Sequence, residues 1–291
     1  MEKFGDAHLK EVPNPNSSGI GMAANSSPRL MLAVFHMANG KLTLVGLGIS
    51  DEKGISLSGL ETLKSSEKIF AESYTNLLPE GTLARLEKLV GKPIELLQRA
   101  AVEDEKILLA SAEKQPTALV VPGDPMIATT HVSLLLAAKK RGIQTEIIHA
   151  SSILSAAIGE SGLQAYKFGK IVTLAYWREN YKPMAAYDVI AENLSRGLHT
   201  LLLLDIDEKL GAMKPSEAAK LLLEMEKIGK KEILLPETKL VLLQGVGRQK
   251  TARSYARLSQ LLHQLSNGAP AVLVVPGALH FLEEEYLLSF G

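Results

Sequence analysis

The sequence predicts an α/β fold: two α/β domains with mainly parallel or mixed sheets and a ligand cleft between them. Three observations carry this. Eight short apolar runs recur along the chain, most of them continuous rather than alternating, as in strands buried on both faces. Helical stretches separate them, the βαβ rhythm. Glycine and proline turns close several runs, as in "VGLG", "VVPGD" and "VVPGA". In order, the runs are "KLTLVGLG", "KIFAES", "ALVVPGD", "TEIIHA", "IVTLAY", "TLLLLDID", "KLVLLQGVG" and "AVLVVPG". Between them "PMIATTHVSLLLAAKKRG" reads as a helix with Pro125 in its first turn and Gly142 at its end. "PSEAAKLLLEMEKIGKK" reads as another, starting near Pro215 or Ser216. Residues 1–40 are rich in Pro, Asn, Ser and Gly without an apolar period, which predicts a disordered tail. A start at Met37 also fits, since a strand follows it at once. The small-residue stretch after residue 150 places the joint there, giving domains 41–150 and 151–291.

Lys and Arg total 32 and so do Asp and Glu, which argues against a protein built mainly to grip nucleic acid or anionic membrane through bulk charge, a local basic patch remaining open. The absence of cysteine excludes disulfides, thiolate nucleophiles and Cys-based metal sites, and fits a cytoplasmic location. No apolar run approaches the roughly 18 residues that span a bilayer.

Three turns have a composition suited to ligands. The first, "GLGIS", starts like a dinucleotide fingerprint, but the third glycine position holds Asp51, and acidic Asp51 and Glu52 face the place of a pyrophosphate. Glu72, at the end of a strand, is the residue that reading would use for a ribose hydroxyl. The second, "VVPGDPMIATTH", reads as a strand, a Pro-Gly turn and a helix N-cap at Asp124 with Pro125 behind it. Such turns at the carboxyl ends of parallel strands form ligand crevices. The third, "HASSILSAAIG", brings Ser151 and Ser152 after a strand, as caps or as ligand contacts. Asp205 and Asp207 end a buried strand and read as turn residues; no metal site is predicted. Arg248, Lys250, Arg253 and Arg257 read as a solvated helix face or a partner contact.

Together, "GLGISDEKGISLSGLE", "IFAESYTNLL", "VVPGDPMIATTH", "IIHASSILSAAIGESGLQAYKFGK", "YDVIAENLSRGLHTLLLLDI" and "VVPGALHFLEEEYL" resemble, in order, the diphthine synthase family of tetrapyrrole-methylase-type methyltransferases. "LQGVGRQKT" departs from the family's small-residue turn. The resemblance implies S-adenosylmethionine folded into the interdomain cleft. It implies cofactor contacts at Ile49, Asp124, Ile127, Ser152, Ile153, Leu204, Val246 and Ala271. It also implies methyl transfer to the amine of a 3-amino-3-carboxypropyl-histidine on translation elongation factor 2, three times in archaeal members, and a homodimer without nucleic-acid or membrane partners. Glu72, Tyr74, Tyr166, Lys167 and His280 lie in matching motifs as possible substrate neighbours, Lys167 as a point charge for the substrate carboxylate. No catalytic residue is nominated, because aligning an amine with an activated methyl needs position more than a special base. A precorrin-type methyltransferase of the same superfamily and a non-catalytic cofactor-binding relative are the alternatives.

Overall fold

The computed structural model describes residues 40–74, 77–207, 209–265 and 270–290. The tail expected over residues 1–40 lies, Gly40 apart, outside the described residues. Among those described, two five-stranded sheets follow one another along the chain.

The first sheet holds β1 (Lys41–Gly46), β2 (Lys68–Glu72), β3 (Glu95–Leu97), β4 (Pro116–Val121) and β5 (Gln144–Ile148), in the order β3-β2-β4-β1-β5. All its pairings are parallel. Its helices are α1 (Leu57–Ser65), α2 (Thr82–Val90), α3 (Arg99–Glu103), α4 (Lys106–Ala112) and α5 (Val132–Lys140). The continuous apolar runs fill both faces. Leu42, Leu44, Leu119 and Val121 pack with side chains of α3, α4 and α5. Val45, Ala118 and Val120 pack with those of α1 and α2.

After α6 (Ile153–Ser161), the second sheet comprises β6 (Val172–Leu174), β7 (Thr200–Leu204), β10 (Lys239–Gln244), β11 (Ala252–Arg257) and β12 (Ala271–Val275), in the order β11-β10-β12-β7-β6. A small ribbon of β8 (Ile206–Asp207) and β9 (Gly211–Ala212) lies between β7 and β10 in sequence. Helices α7 (Ala185–Ser195) and α8 (Pro215–Gly229), with the short α9 (Leu258–Leu261), pack against Leu202, Leu240, Leu242 and Leu273. α6 and α10 (Phe281–Leu288) pack against Leu201, Val241, Leu243 and Val274 on the other face.

All eight sequence-read runs are strands, and three local outcomes follow; the first is that the sheets are parallel and mixed, as the fold class expects. In the second sheet only β6–β7 is parallel; β7–β12, β12–β10 and β10–β11 are antiparallel. A continuous apolar run reports cover on both faces, and this sheet obtains that cover from helices without parallel order. Second, Asp124 does not cap a helix and Pro125 is not its first residue: α5 begins at Val132. Ala128 adopts φ +55° and interrupts any helix there, while Thr129 Oγ1 contacts the Pro125 carbonyl and accepts the His131 N–H. Third, the basic run is no helix face. Arg253 and Arg257 sit on β11, an antiparallel edge strand, where long cations discourage further strand pairing.

The glycines after β1 serve close approach. Gly48 and Gly123 exchange backbone hydrogen bonds of 3.1 and 2.8 Å, locking the turn after β1 to the turn after β4. Gly48 has φ +80°, and a Cβ there would lie 2.8 Å from Ser151 Oγ and 2.9 Å from the Gly54 carbonyl oxygen. Gly91, at the end of α2, has φ +77° with open space around it. Gly48→Ala is therefore expected to cost about 1–3 kcal/mol, and more than Gly91→Ala. Urea midpoints of the two variants check this; equal losses would mean the crowding at Gly48 is not felt.

Candidate active site

A cleft of about 490 Å³ opens where the carboxyl ends of β1 and β4 meet the ends of β7, β10 and β12. That volume lies within the roughly 300–1,000 Å³ range of small-molecule sites. All eight residues expected to contact a cofactor line it: Ile49, Asp124, Ile127, Ser152, Ile153, Leu204, Val246 and Ala271. They come from both sheets and the loops around them. Because β12 is antiparallel to its neighbours, Ala271 at its start reaches the cleft, while "VVPGA" at its other end does not line it.

Local chemistry explains the placements. Ile49 follows the Gly48 turn; its N–H donates to Ser151 Oγ at 3.3 Å. A Cβ on Gly247 would lie 2.5 Å from Ile49 Cγ1, so the two halves meet closely at that point. Ser152 caps α6, its Oγ accepting the Leu154 N–H at 3.2 Å. Asp124 is 8% exposed, and its carboxylate links two loops. Oδ1 accepts the Met126 N–H at 3.0 Å; Oδ2 lies 2.8 Å from His149 Nδ1 and accepts the Ala150 N–H at 3.3 Å. Three of roughly four acceptor positions are thus used, leaving capacity for a ligand donor. Gly123 is buried in the cleft wall with φ +76°, yet a Cβ there would meet no atom within 4 Å, so its bare α-carbon leaves room in the cleft. Ala128, also lining the cleft, holds a left-handed conformation uncommon for a non-glycine residue.

The substrate neighbours expected from the motifs divide. Tyr74 lines the cleft. Burial, then the charges of Glu72 and Glu103, push its phenol up to about 12, so it stays protonated and is no base near neutrality. Glu72 is fully buried at the end of β2, accepting the Tyr74 N–H. Tyr166 is exposed outside the cleft lining and His280 caps α10. Lys167 is not available to a substrate carboxylate: its Nζ lies 2.5 Å from Glu283 Oε2 and 2.5 Å from the Ala278 carbonyl. Asp207 serves a turn as read, accepting the N–H groups of Lys209 and Leu210, but Asp205 does not: it lines the cleft and accepts the N–H of Tyr176, 29 residues away, tying the segment after β6 to the end of β7. The dinucleotide geometry is absent here: the turn after β1 leads into a short 3₁₀ turn, Glu52–Gly54, where Asp51 caps and Glu52 pairs with Arg85 Nε at 2.9 Å.

Sequence reasoning missed Arg99, Glu103, Thr130 and Thr173 in the lining. Arg99 and Glu103, paired at 2.7 Å, sit on α3 behind the three-residue β3, which has too few apolar residues to stand out.

Comparisons with known proteins give this geometry a context. The model of the tetrapyrrole (corrin/porphyrin) methylases matches residues 41–261. A diphthine synthase of Methanothermobacter thermautotrophicus is 38% identical over 251 residues, covering 86% of this chain and 95% of the relative. That of Methanocaldococcus jannaschii is 42% identical over 250 residues, covering 84% and 97%. The chain belongs to the diphthine synthase family. A diphthine synthase crystal structure superposes with a TM-score of 0.77 at 33% identity, over 86% of this chain and 95% of that one. Membership makes the chain a methyltransferase of diphthamide biosynthesis, and the precorrin-type alternative is not favoured. Among the described residues no helix is long and apolar enough to cross a membrane.

Proposed function

We propose that this diphthine synthase-family chain binds S-adenosylmethionine in the cleft and methylates, three times, the amine of a 3-amino-3-carboxypropyl-histidine on translation elongation factor 2. We further propose that the chain works in the cytoplasm as a homodimer, each copy comprising an N-terminal domain, residues 41–150, and a C-terminal domain, residues 151–291. The observation carrying the reading is that eight residues, spread from position 49 to 271, converge on one cleft.

The residues present fit the donor. Ile49, Ile127, Ile153, Leu204 and Val246 give an apolar wall for a thioether and a nucleoside face, and the space left by Gly123 allows close backbone approach. Asp124 and Ser152 offer polar groups for orientation. When bound, the sulfonium supplies an electrophilic methyl. The chain's part is to hold the acceptor amine in line and to exclude water, which contributes roughly 7–11 kcal/mol in favourable cases. An α-amino group has a pKa of about 8, and a neighbouring carboxylate raises it, so a neutral fraction exists without a dedicated base. Methylation stops by itself once the nitrogen is quaternary and has no lone pair.

The test is incubation with methyl-labelled S-adenosylmethionine and elongation factor 2 carrying the modified histidine. Label is expected in the factor, with mass increments counting the methyl groups. Cofactor binding without label in a competent factor would leave a binding protein rather than this enzyme.

A further inference from the structure

The cleft lining contains two cations, Arg99 and Arg248. Arg99 is committed to Glu103. Arg248 is different. It sits two residues after Val246, in a turn closed by its own N–H donating to the Gly245 carbonyl at 3.0 Å, with Gly245 at φ +67° and Gly247 at φ +80°. Its Nη2 donates to the Leu77 carbonyl at 2.9 Å, across from the loop after β2. No Asp or Glu among the described residues pairs with it. A half-buried guanidinium is thus held at the wall of a ligand cleft with one donor used and four remaining. Those remaining donors are open to an anionic ligand.

We propose that Arg248 is a carboxylate-binding residue of the cleft, engaging an amino-acid carboxylate through its planar fork. The inference rests on the functional reading above, which brings two such groups into the cleft: the amino-acid arm of the methyl donor and the aminocarboxypropyl arm of the acceptor. Arginine suits either, because its fork matches a carboxylate with two parallel hydrogen bonds. Burial pulls the Arg248 pKa below its ordinary range, in keeping with a partly desolvated cation. The other members of the basic run do not share this setting. Lys250 is exposed, Arg253 pairs with Glu160 of α6, and Arg257 lies exposed at the end of β11.

Arg248→Ala and Arg248→Lys, compared with the wild-type chain, test the proposal. Calorimetry would measure binding of S-adenosylhomocysteine and of 5′-methylthioadenosine, the same kind of nucleoside thioether without the amino-acid arm. Steady-state kinetics would use the modified elongation factor. If Arg248 holds the donor's carboxylate, Arg248→Ala weakens S-adenosylhomocysteine binding about tenfold to a hundredfold and leaves methylthioadenosine unchanged. If it holds the acceptor's carboxylate, both nucleosides bind as before and KM for the factor rises by a similar ratio. In either case Arg248→Lys recovers only part of the loss. Unchanged affinities and kinetics, with or without a lower melting temperature, would overturn the proposal and leave Arg248 as a tie to Leu77. A wild-type chain that binds neither nucleoside would instead sink the functional reading itself.

Discussion

Asp124→Ala is expected to weaken S-adenosylmethionine binding by at least about tenfold, as loss of a charged hydrogen-bonding group does. The carboxylate is almost wholly buried and joins the turn after β4 to the segment after β5, two pieces of the same cleft wall. Removing it frees the Met126 and Ala150 N–H groups and the His149 ring together, so both loops lose their common anchor. Some stability goes too, about 1–3 kcal/mol for buried donors left without acceptors. The two effects separate by experiment. Asp124→Asn keeps one acceptor oxygen and should retain most of the stability while still losing affinity. Calorimetric binding beside urea midpoints makes the comparison. Wild-type affinity with a lowered midpoint would reduce Asp124 to a structural tie.

Glu283→Gln should cost about 3 kcal/mol, the scale of breaking a buried ion pair. Glu283 is 2% exposed and sits at the start of α10. It receives the N–H groups of Gln164 (2.8 Å) and His280 (2.7 Å), the Lys167 ammonium and the Nε2 of His199 at 3.2 Å. Burial alone would raise its pKa, but these four partners hold it down at about 2. His199 is fully buried, and its Nδ1 accepts the Gly277 N–H at 2.9 Å, which leaves Nε2–H as the donor to Glu283. Burial lowers the His199 pKa, against the pull of Glu283, so the ring stays neutral.

A depressed carboxyl contributes its stability fully above its ordinary 4.5 and loses it as pH falls from there through about 2. A depressed histidine loses stability as pH falls below its ordinary 6.5, where the unfolded ring takes up a proton that the folded one refuses. Both act in acid. Denaturation followed from pH 7 to pH 3 should show the wild-type chain losing stability more steeply than Glu283→Gln below pH 4.5. Parallel curves would mean that the Glu283 network carries little of the acid sensitivity.

Much of this was legible in the chain, and the failures have physical causes. Strands that are covered on both faces announce themselves as unbroken apolar runs, so "ALVVPGD" and "TLLLLDID" were plain. β3 is three residues long with two of them exposed, and β11 is an edge strand rich in Arg, so neither carries that signal. Strand direction in the second sheet was not readable, because burial pattern is blind to it. Asp124 has a misleading neighbourhood: "GDP" looks like a helix start, and only the fold shows the carboxylate facing His149 and Ala150 in the cleft wall. Lys167 misled in the opposite sense. Its partner, Glu283, is 116 residues away, and no local pattern links them. Arg248 was hidden among neighbouring cations that the fold sends elsewhere.

The central claim is that one cleft, walled by residues from both sheets, holds the methyl donor. Its most direct test is a crystal structure of the protein grown with S-adenosylhomocysteine at saturating concentration. The account predicts the nucleoside in that cleft, in contact with Ile49, Asp124, Ile127, Ser152, Ile153, Leu204, Val246 and Ala271. Well-ordered ligand bound elsewhere, with this cleft holding only solvent, would contradict it.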